Sequence, residues 1–407
     1  GFVKSEQNVG LPFVKVQVKG VTTGVTTDGT GFYRLKVSDA ANSTLLFTFT
    51  GYEKQEVKLT RTYRLEDNEP QIEENAIVKV IGDDGSIYTF SQQDDTYLSD
   101  EEFEPLTGIL YHLEIETSDG KKYLSTEQVL PSQSNLESVI PIRKTNDSGI
   151  EGVEIQVNSF DPTNSSVFYR YTFEETYKVI VPYWSANNIR ILEDNTIEFY
   201  PRNGETRTCF SYDKSKKIIL ENTTNYNEDR VLNLPVHFLE KEDYKIANRY
   251  SINVNQFIHN SVSFEFYKNL KNLSDEGSNL SQIQPGLILG NISCLQTPNE
   301  IVVGLFDIAS VSSQRIFFDF EDIFPDSNSL SFLYECETRT FNPQDFDPLN
   351  SNDGFFALKS YVRSNRLIFY RESAGLYEMV IPFCGDCTTF SSNVIPPYWQ
   401  WKKLLFT

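Results

Sequence analysis

Five cysteines, three histidines and 57 carboxylates against 36 basic side chains are the groups through which this 407-residue chain could do chemistry. The cysteines are Cys209, Cys294, Cys336, Cys384 and Cys387, all in the second half. Cys384-Gly385-Asp386-Cys387 is a CxxC, which by itself serves a metal knuckle, a redox pair or a structural site. Zinc wants a second such pair or two histidines at set spacing, and no histidine follows Cys294. A redox CxxC usually stands between a strand and a helix of a βαβ unit, and no helical pattern follows this one. An oxidised structural site is the expectation, with at least one long-range bridge to Cys294 or Cys336. Cys209 is then the thiol left over, a small buried hydrophobe.

The histidines offer no base in a nucleophilic context. His112 lies on the polar face of a strand among glutamates, His237 lies in an apolar alternation over 232–238, and His259 follows an apolar pair. None sits in a G-x-S-x-G or similar setting. Glu174-Glu175 is the best candidate for a carboxylate pair, but neighbours on a strand point to opposite faces. One is expected to pair with Arg170 or Arg190 and the other to be solvated. Asp345, Asp347, Asn350, Asn352 and Asp353 before Gly354 supply oxygens of the kind calcium needs, without the EF-hand spacing. A solvated loop is the expectation there, and no cofactor is expected elsewhere. No catalytic residue is assigned. Exposed aromatics anchor interfaces, so Tyr183, Trp184, Tyr398 and Trp399 are the candidates for an interface or a ligand platform, although a packed sandwich end is the expectation preferred for Tyr398 and Trp399.

The elements behind these residues read as all-β. Phe and Tyr number 30 and 22 against a single Met, a composition that favours strands. A net charge of −21 repels phosphate backbones, so nucleic acid is a poor partner. No run of ~18 apolar residues is present to cross a membrane as a helix. Residues 1–60 read as a small β-sandwich: Val14, Val16 and Val18 alternate with polar residues, Asp28-Gly29 turns the chain, and Tyr33, Leu35 and Val37 alternate again. Residues 61–145 read as an immunoglobulin-like sandwich, with hairpin turns at Asp83-Asp84-Gly85 and Ser118-Asp119-Gly120. Residues 146–407 read as a larger β-rich domain. Val262, Phe266, Leu270 and Leu273 mark one face of a helix near 262–273, capped by Ser261 or Ser263.

Two resemblances follow from particular phrases. Gly10-Leu11-Pro12, 16–20, Thr27-Asp28-Gly29-Thr30-Gly31-Phe32-Tyr33 and Gly51-Tyr52 resemble the carboxypeptidase-regulatory-like domain, a transthyretin-like sandwich without peptidase chemistry. Residues 57–67, Gly108-Ile109-Leu110-Tyr111 with Asp119-Gly120-Lys121-Lys122-Tyr123, 169–177, Tyr250-Ser251-Ile252 and Cys384-Gly385-Asp386-Cys387 with Pro397-Tyr398-Trp399 resemble a Bacteroidota family, domain of unknown function forty-two forty-nine. That resemblance covers roughly residues 55 to 400. It implies an outer-membrane lipoprotein of a diderm bacterium, on the cell-surface or periplasmic face, whose genes often neighbour TonB-dependent receptors. It implies no catalytic residues. A lipid anchor, if present, is expected upstream of residue 1.

The functional expectation is a non-enzymatic accessory protein that docks on an outer-membrane β-barrel, first of all a TonB-dependent receptor, in nutrient uptake. The rivals are a subunit of an outer-membrane protein assembly or export machine, and a protein that binds a glycan or peptide directly.

Overall fold

The computed structural model describes residues 56–61, 71–276, 290–327, 332–333, 335–349 and 352–400, together with Phe32 and three strands near the N-terminus. Those strands are Val14–Val18, Gly24–Thr26 and Leu45–Phe49. The first is central and antiparallel to the others, with Val16 opposite both Val25 and Phe47. The expected Asp28-Gly29 turn and the strand of Tyr33, Leu35 and Val37 lie outside the described residues.

The described chain is mainly β and divides into two compact units. One holds residues 1–132 and 259–310, the other residues 133–258 and 311–407. The boundaries expected from sequence are corrected accordingly. A cut at 145/146 would sever a hairpin, because Leu136–Thr145 pairs with Glu151–Asp161 along its length. A cut at 60/61 would separate Glu56–Val57 from Thr96–Ser99, its partner in the sheet.

In the first unit an eight-stranded antiparallel sheet gathers Glu56–Val57, Ile77–Gly82, Ile87–Gln93, Thr96–Ser99, Leu110–Glu116, Lys122–Ser125, Gln128–Val129 and Ile292–Cys294. Alternation does what the sequence promised: Val78, Val80, Tyr111, Leu113 and Ile115 are buried in one core while Lys79, His112 and Glu114 are not. Both expected turns are present, with Gly85 at φ +88° and Gly120 at φ +82°, backbone that favours glycine. Both hairpins lie in the same sheet, where an immunoglobulin-like fold would distribute them over two.

The expected helix spans Ser261–Glu276. Its first turn is capped by Asn260 rather than by a serine, through Oδ1 accepting from the Ser263 N–H at 2.9 Å. Its buried side is not the Val262, Phe266, Leu270 stripe. Ser263 and Phe264 face inward, while Val262 is 57% exposed and Leu270 39%.

In the second unit two sheets share one core. Leu136–Thr145, Glu151–Asp161 and Asp229–Glu240 form the first. Phe168–Ile180 is the spine of the second, flanked by Arg249–Ile258 on one edge and by Thr208–Lys214 and Ile219–Asn222 in tandem on the other, with Ser310–Asp319 beyond. Val153, Ile155 and Val157 meet Tyr169, Tyr171, Tyr250 and Ile252 between them, all fully buried. A smaller layer follows. It comprises the hairpin Asn187–Ile191 with Ile197–Pro201, the sheet Arg339–Phe341, Leu376–Val380, Ile368–Ser373, and the helix Phe355–Arg363, around Ile189, Phe341, Phe355 and Met379.

Candidate functional site

The cysteines come together where that smaller layer meets the sandwich. Cys209, in the strand Thr208–Lys214, is bonded to Cys387, and Cys336 to Cys384, each with Cα atoms 5.8 Å apart. Cys294 is the unpaired cysteine, buried in the other unit. This corrects the expectation, which left Cys209 free and counted Cys294 among the bridging residues. The CxxC is neither a metal knuckle nor a self-contained redox pair. It is the meeting point of two bridges that reach 178 and 48 residues back along the chain.

The residues between the two half-cystines explain the spacing. Pro382–Gly385 forms one helical turn and Cys387–Thr389 another. A Cβ on Gly385 would stand 3.0 Å from the Tyr183 carbonyl oxygen and from Ile368 and Val380 side-chain carbons, so a larger residue fits only if those neighbours give way by a few tenths of an ångström. Asp386 caps the second turn by accepting from the Thr388 N–H at 2.9 Å. Arg202, its side chain 6% exposed, donates to the Gly385 carbonyl at 3.1 Å, to Asp386 at 3.4 Å and to the Phe369 carbonyl at 3.4 Å. Burial pulls the Arg202 guanidinium down from its ordinary range, opposed by the Asp386 charge. Sequence reasoning missed Arg202, since a single arginine in a polar loop carries no periodic signal.

The aromatic candidates build the same region. Tyr183 packs beside Cys384 and meets Tyr370 edge-on at 5.1 Å, with its N–H donated to the Cys384 carbonyl at 3.0 Å. Trp184 packs against Cys209 and Cys387 and donates its indole N–H to Thr206 at 2.9 Å. Tyr398 shares a hydrogen bond with Thr176 at 2.8 Å, and the Arg315 guanidinium lies 3.9 Å from its ring centroid. Trp399 is 7% exposed and wedged between Phe210 and Phe317, which is the packed sandwich end expected there rather than an open ligand platform. These rings close the end of the sandwich.

The strongest charged constellation centres on Glu175. Strand alternation separates it from Glu174, which stays half exposed and pairs with Lys214 at 3.0 Å. The Glu175 side chain is 3% exposed and is faced by His237 Nε2 at 3.2 Å, Tyr250 OH at 2.6 Å and Lys245 Nζ. Lys245 also reaches Asp213 at 3.1 Å. Burial alone would push the Glu175 carboxyl up; hydrogen bonds from His237, Lys245 and Tyr250 overcome it and hold the group at about 2. Neither Arg170 nor Arg190 is its partner, as the sequence had suggested. Arg170 stacks over Phe257 and Arg190 pairs with Glu198. A carboxylate accepting from three donors at once and held this low is a structural anion, not a proton carrier near neutral pH.

The other histidines are similarly placed. His112 Nε2 faces Glu114 at 3.7 Å, and His259 Nδ1 faces Asp307 at 2.6 Å. Asp307 also accepts from the Ser263 hydroxyl at 2.6 Å. In that trio the carboxylate stands in the middle, whereas activation of a serine puts the imidazole there. The Asp-rich loop uses its oxygens on its own backbone: Asn342, Asp345 and Asp347 each accept from the N–H two residues on, at 2.9–3.0 Å. Asn350 lies outside the described residues. Among the described residues no group of three or more His, Cys, Asp or Glu side chains is placed to hold a metal ion.

Fold and bridges together define a mainly β protein in which Cys209–Cys387 ties the sandwich to the layer that follows it and Cys336–Cys384 closes that layer on itself. Residues 47–315, well over half of the chain, match the family described as Domain of unknown function (DUF4249), and the chain belongs to that family. A CarboxypepD_reg-like domain matches residues 1–78, overlapping it and running past the expected end at 60. The CxxC phrase lies beyond the family match. No curated protein and no solved structure matches the chain.

Proposed function

We propose that this chain is a non-enzymatic accessory protein of the outer membrane of a diderm bacterium, docking on a β-barrel partner of the TonB-dependent receptor type in nutrient uptake. The observation that carries the reading is the pair of disulfides converging on Cys384-Gly385-Asp386-Cys387, buried at Cys209, Cys384 and Cys387 and half-buried at Cys336. Such bridges form and persist in oxidising compartments and are rare in the cytosol. Three further observations support it. The side chains with most chemical capacity, Glu175, His237, Lys245 and the cystines, are committed to holding the fold. Sandwich frames present loops for binding while staying rigid. The carboxypeptidase-regulatory-like segment ahead of the family region is of the kind that often heads TonB-dependent receptors. Membrane attachment on this reading comes from a lipid anchor upstream of residue 1 or from the partner itself.

A stable complex of this kind buries ~1,600 Å² or more. Affinity purification of the tagged full chain from gently solubilised native outer membranes, with mass spectrometry of what accompanies it, tests the proposal. A stoichiometric β-barrel partner is the expected result, and its identity separates nutrient uptake from envelope assembly. Recovery of the protein alone contradicts docking.

A further inference from the structure

One open depression of the second unit has a floor of core residues, Val231 and Leu234, and a rim of exposed side chains. It lies between the end of the strand Ile219–Asn222 and the start of Asp229–Glu240, and holds about 350 Å³. Tyr226, in the turn between those strands, is 53% exposed, and its hydroxyl donates to Glu221 at 2.9 Å. That bond fixes the ring as one wall. Leu232 is 66% exposed and forms a second apolar wall with Leu234. Asn233 beside it has φ +52°, in the left-handed region, and donates its N–H to the Asn158 side chain at 2.7 Å. This left-handed residue falls where the pairing register shifts and Leu232 is turned out of the sheet.

The rim is polar in both senses. Glu221, Glu228 and Asn227 bring acceptors, and Asn227 and Arg230 bring donors. Arg230 is held in place by Glu228 at 2.8 Å through Nε, by Glu137 at 3.5 Å through Nη1 and by stacking 3.9 Å from the Phe160 ring centroid, which leaves Nη2 for a ligand. Two carboxylates repel an anion, and the guanidinium opposes a cation. A neutral ring with apolar C–H faces and hydroxyls around its edge matches both walls and rim, and the volume stands at the lower end of ligand pockets (~300–1,000 Å³). We infer that this depression is a saccharide subsite that accepts one pyranose unit, its face on Tyr226 and Leu232 and its hydroxyls on Glu221, Asn227, Glu228 and Arg230. The inference goes beyond the proposed docking role and does not depend on which barrel, if any, the protein meets.

Saturation-transfer NMR on the full oxidised chain tests it, with the methyl glycosides of glucose, galactose, mannose and N-acetylglucosamine as probes at millimolar concentration. Transfer to the ring C–H protons of at least one probe is expected. Tyr226→Ala lowers its affinity about tenfold, as loss of one stacked ring should, and Leu232→Ser lowers it severalfold. Tyr226→Phe, which keeps the ring and loses the anchoring hydroxyl, retains most of it. Both walls are exposed, so the thermal transition of each variant stays at the wild-type value. No transfer to any of the four probes, or transfer unchanged in both Tyr226→Ala and Leu232→Ser, overturns the inference.

Discussion

Each unit has a late segment that returns to strands laid down earlier in the chain, and the two are fastened by different physics. In the first unit the return is residues 290–310. It adds Ile292–Cys294 to the sheet beside Lys122–Ser125. The Asn291 side chain clamps both the N–H and the carbonyl of Phe306 at 2.8 Å, and Glu300 accepts from Lys121 at 2.6 Å and Tyr123 at 2.7 Å. No cystine takes part. In the second unit the return is the layer that ends at Trp399, and there the fastening is two cystines plus the buried Arg202. The difference shows what each segment can bury. Phe306 and Ile308 join an existing apolar core, whereas the cystine region packs small apolar clusters around Val181, Ile368 and Val380, where cross-links add most.

Reduction breaks the comparison most strongly. Removing the Cys209–Cys387 bridge as Cys209→Ala with Cys387→Ala should cost about 2–5 kcal/mol in the second unit, and dithiothreitol, which opens both bridges, at least as much. Hydrogen exchange resolved by peptide should show this over 202–213 and 366–392 and leave 290–310 unchanged. Equal loss of protection in both would mean that the units do not stand apart in stability.

Acid should act on the same side. The Glu175 carboxyl is held at about 2, below its ordinary 4.5. Its contribution is complete above the unfolded value and is lost as pH falls from ~4.5 through ~2, of order 3 kcal/mol in all. Urea midpoints across that range should fall more steeply for wild type than for Glu175→Gln. Parallel curves would remove Glu175 from the account.

Two glycines sharpen the contrast. A Cβ on Gly290 would stand 1.4 Å from the Gly304 carbonyl oxygen, a backbone clash, while Gly385 meets its neighbours only at 3.0 Å. Gly290→Ala should cost the first unit about 1–3 kcal/mol or more, and Gly385→Ala should cost the second unit less, both read from denaturant midpoints. The smallest effect belongs to Asn291→Ala, about 1–2 kcal/mol for the unpaired Phe306 backbone groups, confined to exchange in 290–310.

Much of this architecture was legible in the residues themselves. Alternation located the strands that carry Val78, Val80 and Tyr111 to Ile115, Asp-Gly turns located both hairpins, and the same alternation separated Glu174 from Glu175. The helix at 261–276 was legible in extent but not in facing. Val262, Phe266 and Leu270 make the longer apolar stripe, yet Ser263 and Phe264 are the buried residues, on the side where Asn260 and Asp307 bond the first turn. Cysteine connectivity was out of reach, since spacing carries no pairing information once a chain crosses itself. The partners that bury Trp399 were out of reach for a related reason: Phe210 and Phe317 are distant in sequence and meet it only in the folded unit.

The most direct test is disulfide mapping of the protein taken from native membranes, with free thiols alkylated before lysis and peptides read by mass spectrometry. The account predicts Cys209 linked to Cys387, Cys336 linked to Cys384, and Cys294 alone alkylated once the chain is unfolded. Alkylated Cys384 and Cys387, or the two joined to each other, would contradict both the cystine fastening and the oxidising location inferred from it.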